Sequence, residues 1–180
     1  MPVESPVDGT AVSRGQALTR IVFGSRATIA GTIYGTIVVL AVLAAGGKAF
    51  EHDLWRLVAI VVTTVLVLWM AHVYAHGLGE SLQAGRRLNA AEFGSIARRE
   101  LAIPLAAVAP TAVLVLGAVG LLNGRTAVLL ALSVGVATLA VQGLRYAWAE
   151  GLGRAGALAA VALNLVLGLA LVVLEVLVSH

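Results

Sequence analysis

Leu57-Val-Ala-Ile-Val-Val-Thr-Thr-Val-Leu-Val-Leu-Trp-Met-Ala71 runs for fifteen residues without a charge, and with His72 and His76 neutral the apolar run continues to Gly79. At 1.5 Å per residue, roughly 20 apolar residues cross about 30 Å of hydrocarbon, so this stretch reads as a membrane-spanning helix. Four more windows without Asp, Glu, Lys or Arg, at 27–47, 101–124, 126–144 and 155–174, meet or nearly meet the same length. With 60% apolar residues, 12% charged residues and a mean hydropathy of +0.99, the chain cannot hydrate the surface of an ordinary soluble domain.

The fold expected is therefore an all-α membrane protein with about five transmembrane helices, at 27–47, 55–79, 101–123, 126–148 and 155–177. A cytoplasmic segment over 1–26 precedes them, and a cytoplasmic loop over 80–100 divides two hairpins. Residues 1–26 carry Glu4, Asp8 and three arginines before any apolar run, unlike the short basic leader of a secretory signal, so the first span is expected to stay as an anchor.

Lysine and arginine beside spans favour the cytoplasmic face. In the five-span arrangement one face carries Arg14, Arg20, Arg26, Arg86, Arg87, Arg98, Arg99, Arg145 and Arg154, and the other carries Lys48, Arg56 and Arg125. Nine against three places the N-terminus in the cytoplasm and the C-terminus outside, in a cell (inner) membrane. Phe50 and Trp55 then fall at the outer boundary, and Tyr74, Phe93, Tyr146 and Trp148 at the inner one. Within the 80–100 loop, Leu88, Ala91 and Ile96 are spaced for a short helix lying in the interface with its apolar side toward lipid.

Shifted by 74 residues, the chain matches itself. Ala75-His-Gly-Leu-Gly-Glu80 aligns with Ala149-Glu-Gly-Leu-Gly-Arg154 at four of six positions. Upstream, His72 faces Tyr146 and Tyr74 faces Trp148, while Val39, Leu40, Ala44 and Gly46 repeat as Val113, Leu114, Ala118 and Gly120. The pattern reads as a parallel duplication of a two-helix hairpin, with a fifth helix added. Glycines at 77, 79, 151 and 153 are expected to end the second and fourth helices.

The absence of cysteine excludes disulfides, thiolate metal sites and thiol redox chemistry. Although the pI is near 10, the net charge is only +3 and the basic residues flank spans, which suits the lipid bilayer rather than nucleic acid as partner. No nucleophile turn is present, and the only aspartates, Asp8 and Asp53, lie outside the spans, so enzymatic activity is not expected.

Three groups carry chemical interest. Ala27, Gly31 and Gly35 form a small-residue stripe for close helix packing, within the chain or in a homo-oligomer. His72, His76 and Glu80, at i, i+4 and i+8, share one helix face; they suit a proton or ion path, and equally a divalent metal. Gln142, Arg145, Tyr146 and Glu150 occupy the matching part of the fourth helix, where Arg145 is placed to pair with Glu80, and Asn164 lies inside the fifth. The functional expectation is an oligomeric ion or proton channel or transporter with a His/Glu-lined cytoplasmic-side site. The alternatives are a non-catalytic membrane partner or scaffold subunit, and an intramembrane divalent-metal-binding protein. Reporter domains fused after Gly47 and at His180 are expected outside the cell; cytosolic signals from both would overturn this topology.

Overall fold

The computed structural model describes residues 26–178, so the segment 1–26, all but Arg26, lies outside it. Among the described residues the regular structure is entirely helical: α1 (Arg26–Gly46), α2 (Leu54–Ala84), α3 (Ala90–Arg99), α4 (Ala102–Ala106), α5 (Val108–Ala118), α6 (Gly124–Ala149) and α7 (Arg154–Val178). Local chemistry sets the helix starts. Asp53 accepts from the Arg56 N–H at 3.2 Å to begin α2, and Asn123 accepts from the Thr126 N–H at 2.8 Å to begin α6.

Three helices, α1, α2 and α6, are long and apolar enough to cross a membrane. A fourth span arises if the bent run Ala90–Ala106 plus Val108–Ala118 counts as one. The apolar part of α7 described in full, Arg154–Ala170, is shorter than a span. These apolar helices point to a membrane protein with three to four candidate spans, against the five read from the charge-free windows.

The bend is 44°, and proline explains it. Pro104 in α4 and Pro110 in the first turn of α5 lack the N–H that the carbonyls four residues back would accept, and their rings crowd those carbonyls. Sequence patterning treated 101–123 as one straight helix because hydropathy does not register a missing donor.

Helix α6 packs on α7, α5 and α1, while α2 packs on α5, α1, α3 and α4. Since α1 and α5 each touch both, α2 and α6 occupy opposite corners of the bundle. The chain runs up and down. Gly135 of α6 faces Leu40 of α1 and Val128 of α6 faces Gly47, so these helices are antiparallel. Leu40, Leu43, Leu57, Val61, Leu114 and Leu139 are fully enclosed among the four corners.

Glycine permits these approaches. A Cβ on Gly31 would meet the Ala102 Cβ at 3.0 Å, and one on Gly35 would strike the Ile103 carbonyl oxygen and the Ala106 Cβ. The stripe therefore seats α4 against α1 inside one chain; the Ala27 side chain lies outside the described residues.

The two Gly-Leu-Gly segments behave differently. At Gly151, φ is +65° and the Leu152 N–H reaches the Ala147 carbonyl at 2.9 Å, closing α6. Gly77 and Gly79, expected to end α2, lie inside it, and the helix continues to a left-handed Gly85. The reason is tertiary. Gly77 is buried against the Phe93 ring of α3, which a Cβ would meet at 2.6 Å, so the glycine serves as a seat and not as a terminator.

Gly35→Leu is expected to destabilise the fold by about 1–3 kcal/mol through overpacking against α4. Gly79→Ala, where a Cβ meets nothing within 4 Å, is expected to be neutral or stabilising by up to about 1 kcal/mol. Thermal unfolding midpoints in detergent read both.

Candidate functional site

Because α2 continues unbroken past Gly79, His72, His76 and Glu80 do share one helix face. Helix α1 adds Tyr34, its one aromatic residue, whose ring centroid lies 4.9 Å from that of His72. The His72 and His76 rings follow at 5.5 Å. His76 Nδ1 stands 3.2 Å from the His72 carbonyl, which accepts its hydrogen when that nitrogen is protonated.

The next group along the line is Glu100, with Oε1 3.6 Å from His76 Nδ1. Its side chain is only 14% exposed, compared with 48% for His76, so the carboxylate is sheltered while the imidazole remains accessible. Arg99 then bridges two carboxylates, with Nε 3.7 Å from Glu100 and Nη2 2.7 Å from Glu80. The hydrogen bond that Arg99 donates to Glu80 outweighs burial and holds the guanidinium above its usual pKa, so it stays charged.

Position rather than periodicity brings Glu100 here. It caps α3, a short helix folded back on the end of α2. Ile96 is fully buried, Phe93 sits over Gly77, and the Trp69 indole N–H donates to the Ala97 carbonyl at 3.2 Å. The lipid-facing role expected of Ile96 is thus corrected: it is buried in protein, because α3 docks on α2 through Phe93 and Ala97, a contact that hydropathy alone does not reveal. The far end of α3 is fixed by a capping box between Asn89 and Glu92, to which Arg86 adds two hydrogen bonds at 2.6 and 3.1 Å.

Glu80, read as the third member of the histidine set and as the partner of Arg145, is engaged by Arg99. Arg145 reaches Gln142 Oε1 at 3.4 Å, one turn back on its own helix. A pairing of Arg145 with Glu80 required α2 and α6 to adjoin, and they stand at opposite corners. Among the described residues no group of three or more His, Asp or Glu side chains is arranged to hold a metal ion.

Gln142 of α6 and Asn164 of α7 lie apart from that line and are buried, at 6% and 8% exposure. Gly143 brings the helices together there, since a Cβ on it would lie 2.9 Å from both the Ala160 carbonyl and Asn164 Nδ2. Tyr146 and Glu150 are exposed near the end of α6. The structure thus divides the expected residues between a histidine seam on α1, α2 and α3 and two buried amides on α6 and α7. Tyr34, Arg99 and Glu100 were not among the residues singled out by sequence. The only local signals were a lone aromatic in a small-residue helix and a carboxylate next to an apolar run.

In comparisons with known proteins, no family model, no curated protein and no solved structure matches this chain.

The Arg86 hydrogen bonds and the Asn89 N–H lower the Glu92 carboxyl to about 2, from an ordinary value of 4.5. Its contribution to α3 is complete above the unfolded value and is lost as pH falls through the folded one. Hydrogen-exchange protection of the α3 amides is therefore expected to hold from pH 7 to 5 and to decline between about 4.5 and 2. Glu92→Gln should lower protection at pH 7 and flatten that decline.

Proposed function

We propose that this chain is an ion or proton channel or transporter of the cell membrane, working as a homo-oligomer. Its working groups are the line Tyr34, His72, His76 and Glu100. The observation that carries the reading is the continuity of that line, from the middle of α1 across the α2 histidines to a sheltered carboxylate. Imidazole gains and loses a proton near neutral pH, and ionisable groups inside apolar helices are rarely retained for packing alone. A proton arriving at His76 is stabilised by Glu100 and passes by ring rotation toward His72, with Tyr34 as the next hydroxyl. Arg99, held between Glu80 and Glu100, anchors the acidic end and repels other cations.

Two features favour several copies over a pore through one. Leucine and valine fill the space among the four corners, leaving no polar route through the chain's own centre. Tyr34 is 39% exposed and His76 also reaches the surface, so the seam opens outward, where a second copy would complete a conduit. The placement of α2 and α6 at opposite corners, each touching α1 and α5, is the arrangement that a parallel hairpin duplication requires, and it supports that origin. In this reading α7 is the fifth span and the arginine-rich end is cytoplasmic.

Purified protein in liposomes carrying a pH-sensitive dye is expected to dissipate an imposed proton gradient. Glu100→Gln removes the charge partner of an imidazolium and should slow the flux by about tenfold or more. His72→Ala with His76→Ala should abolish it. Absence of flux under every proton and cation gradient would reject the proposal, and a second chain co-purifying in mild detergent would instead favour a non-catalytic partner subunit.

A further inference from the structure

The end of the bundle where α2 and α6 finish and α7 begins holds more positive charge than its own carboxylates use. Helix α1 is antiparallel to α6, and also to α2, since Gly46 lies by Leu57 and the Tyr34 ring by that of His72, so these ends share one side of the molecule. There the stretches 80–100 and 145–154 carry six arginines and four glutamates. The glutamates of the first stretch are all taken: Glu92 by Arg86, Glu80 by Arg99, and Glu100 by Arg99 and His76. Glu150 is engaged as well. By contrast, the guanidinium groups of Arg87, Arg98 and Arg154 are exposed and enter no hydrogen bond or ion pair among the described residues. None of the three belongs to the proton seam, and their role does not depend on it.

Two of these arginines stand at the edge of apolar segments. Arg98 comes three residues before the charge-free run that begins at Leu101, and Arg154 is followed at once by the run 155–174. Beside them Leu101 and Leu152 are both 40% exposed. Hydrocarbon excludes an unpaired guanidinium, so at such a border the side chain lays its stem along apolar surface and sets its charged head toward the polar layer. Arg98 is held in this position, because Ile96 is buried and the Ala97 carbonyl accepts from Trp69 while Arg98 itself remains exposed. The opposite end of the bundle differs. Arg125 also precedes an apolar run, but a Cβ on its neighbour Gly124 would strike the Glu51 carbonyl, so it stands beside a turn that carries Glu51 and Asp53.

The partner of such a border is anionic at one end and apolar at the other. A phosphodiester suits the charged end, because two of its oxygens accept two parallel N–H bonds from one guanidinium. Acyl chains of the same molecule suit the exposed leucines. We propose that Arg98 and Arg154 each hold the phosphate of an acidic phospholipid, with Arg87 adding to the local positive potential. A zwitterionic lipid offers the same phosphate but carries its own ammonium, which cancels the attraction, so the preference is for lipids of net negative charge. Each arginine at a membrane surface favours such a lipid by about fivefold.

The test uses the full chain in phosphatidylcholine nanodiscs, with Trp55→Phe to remove the tryptophan at the opposite end. Trp69 and Trp148 then report on the arginines. The Trp69 indole bonds the residue before Arg98, and Trp148 lies six residues before Arg154. Increasing fractions of the lipid are replaced by brominated phosphatidylglycerol or, in parallel, by brominated phosphatidylcholine, and the two quenching curves give the relative affinity of the lipids at these positions. Phosphatidylglycerol is expected to be favoured about fivefold or more. Arg98→Gln together with Arg154→Gln should bring the ratio close to one with the helical circular dichroism retained, while Arg125→Gln should leave it intact. Equal quenching by both lipids before these substitutions would overturn the proposal, as would a preference that survives the double substitution or falls equally in Arg125→Gln. Loss of the preference in millimolar inorganic phosphate at matched ionic strength would assign the arginines to a soluble phosphate, and would overturn the lipid assignment.

Discussion

Close backbone approach at glycine is the constraint on which this bundle rests. Lipid tails are as apolar as leucine, so burying one helix against another in a bilayer gains little from the hydrophobic effect, and cohesion comes from contact. Contact improves where one wall has no side chain. Leu40 illustrates this, fully buried beside Gly135 of α6 and near Gly168 of α7, so that three helices meet on one side chain. The same logic draws α4 onto α1 at Gly31 and Gly35, and α7 onto α6 at Gly143.

From this packing follows the position of every group of chemical interest. Once α1 is held against α4, the start of the bent run lies beside the end of α2, and Glu100 in the link between α3 and α4 comes within reach of His76. Gly77 completes the arrangement by admitting the Phe93 ring. A residue with a Cβ at that position would push α3 away, and with it Arg99, which holds Glu80. The polar seam is thus a consequence of helix spacing as much as of its own hydrogen bonds.

The histidine stripe was legible because its logic is periodic. Residues at i, i+4 and i+8 share a face on any helix, provided the helix continues, and α2 does continue. The Gly-Leu-Gly reading failed at Gly77 because a glycine's conformational freedom and its lack of bulk leave the same letter in the sequence. At Gly151 the first property is used, and at Gly77 the second. The expected pairing of Arg145 with Glu80 failed for a topological reason: the two helices that carry them, α6 and α2, stand at opposite corners of the bundle.

Sequence by itself determined the apolar, span-length segments that point to a membrane, the helical class and the histidine face. Those depend on free energies of transfer summed over contiguous residues and on the pitch of a single helix. Tertiary structure alone decided that Glu100 faces His76, that α3 is pinned to α2, and that Arg99 holds Glu80. Each of these depends on which carbonyl or side chain another helix presents within about 3 to 4 Å, a distance over which hydrogen bonds and ion pairs act and which chain order does not encode.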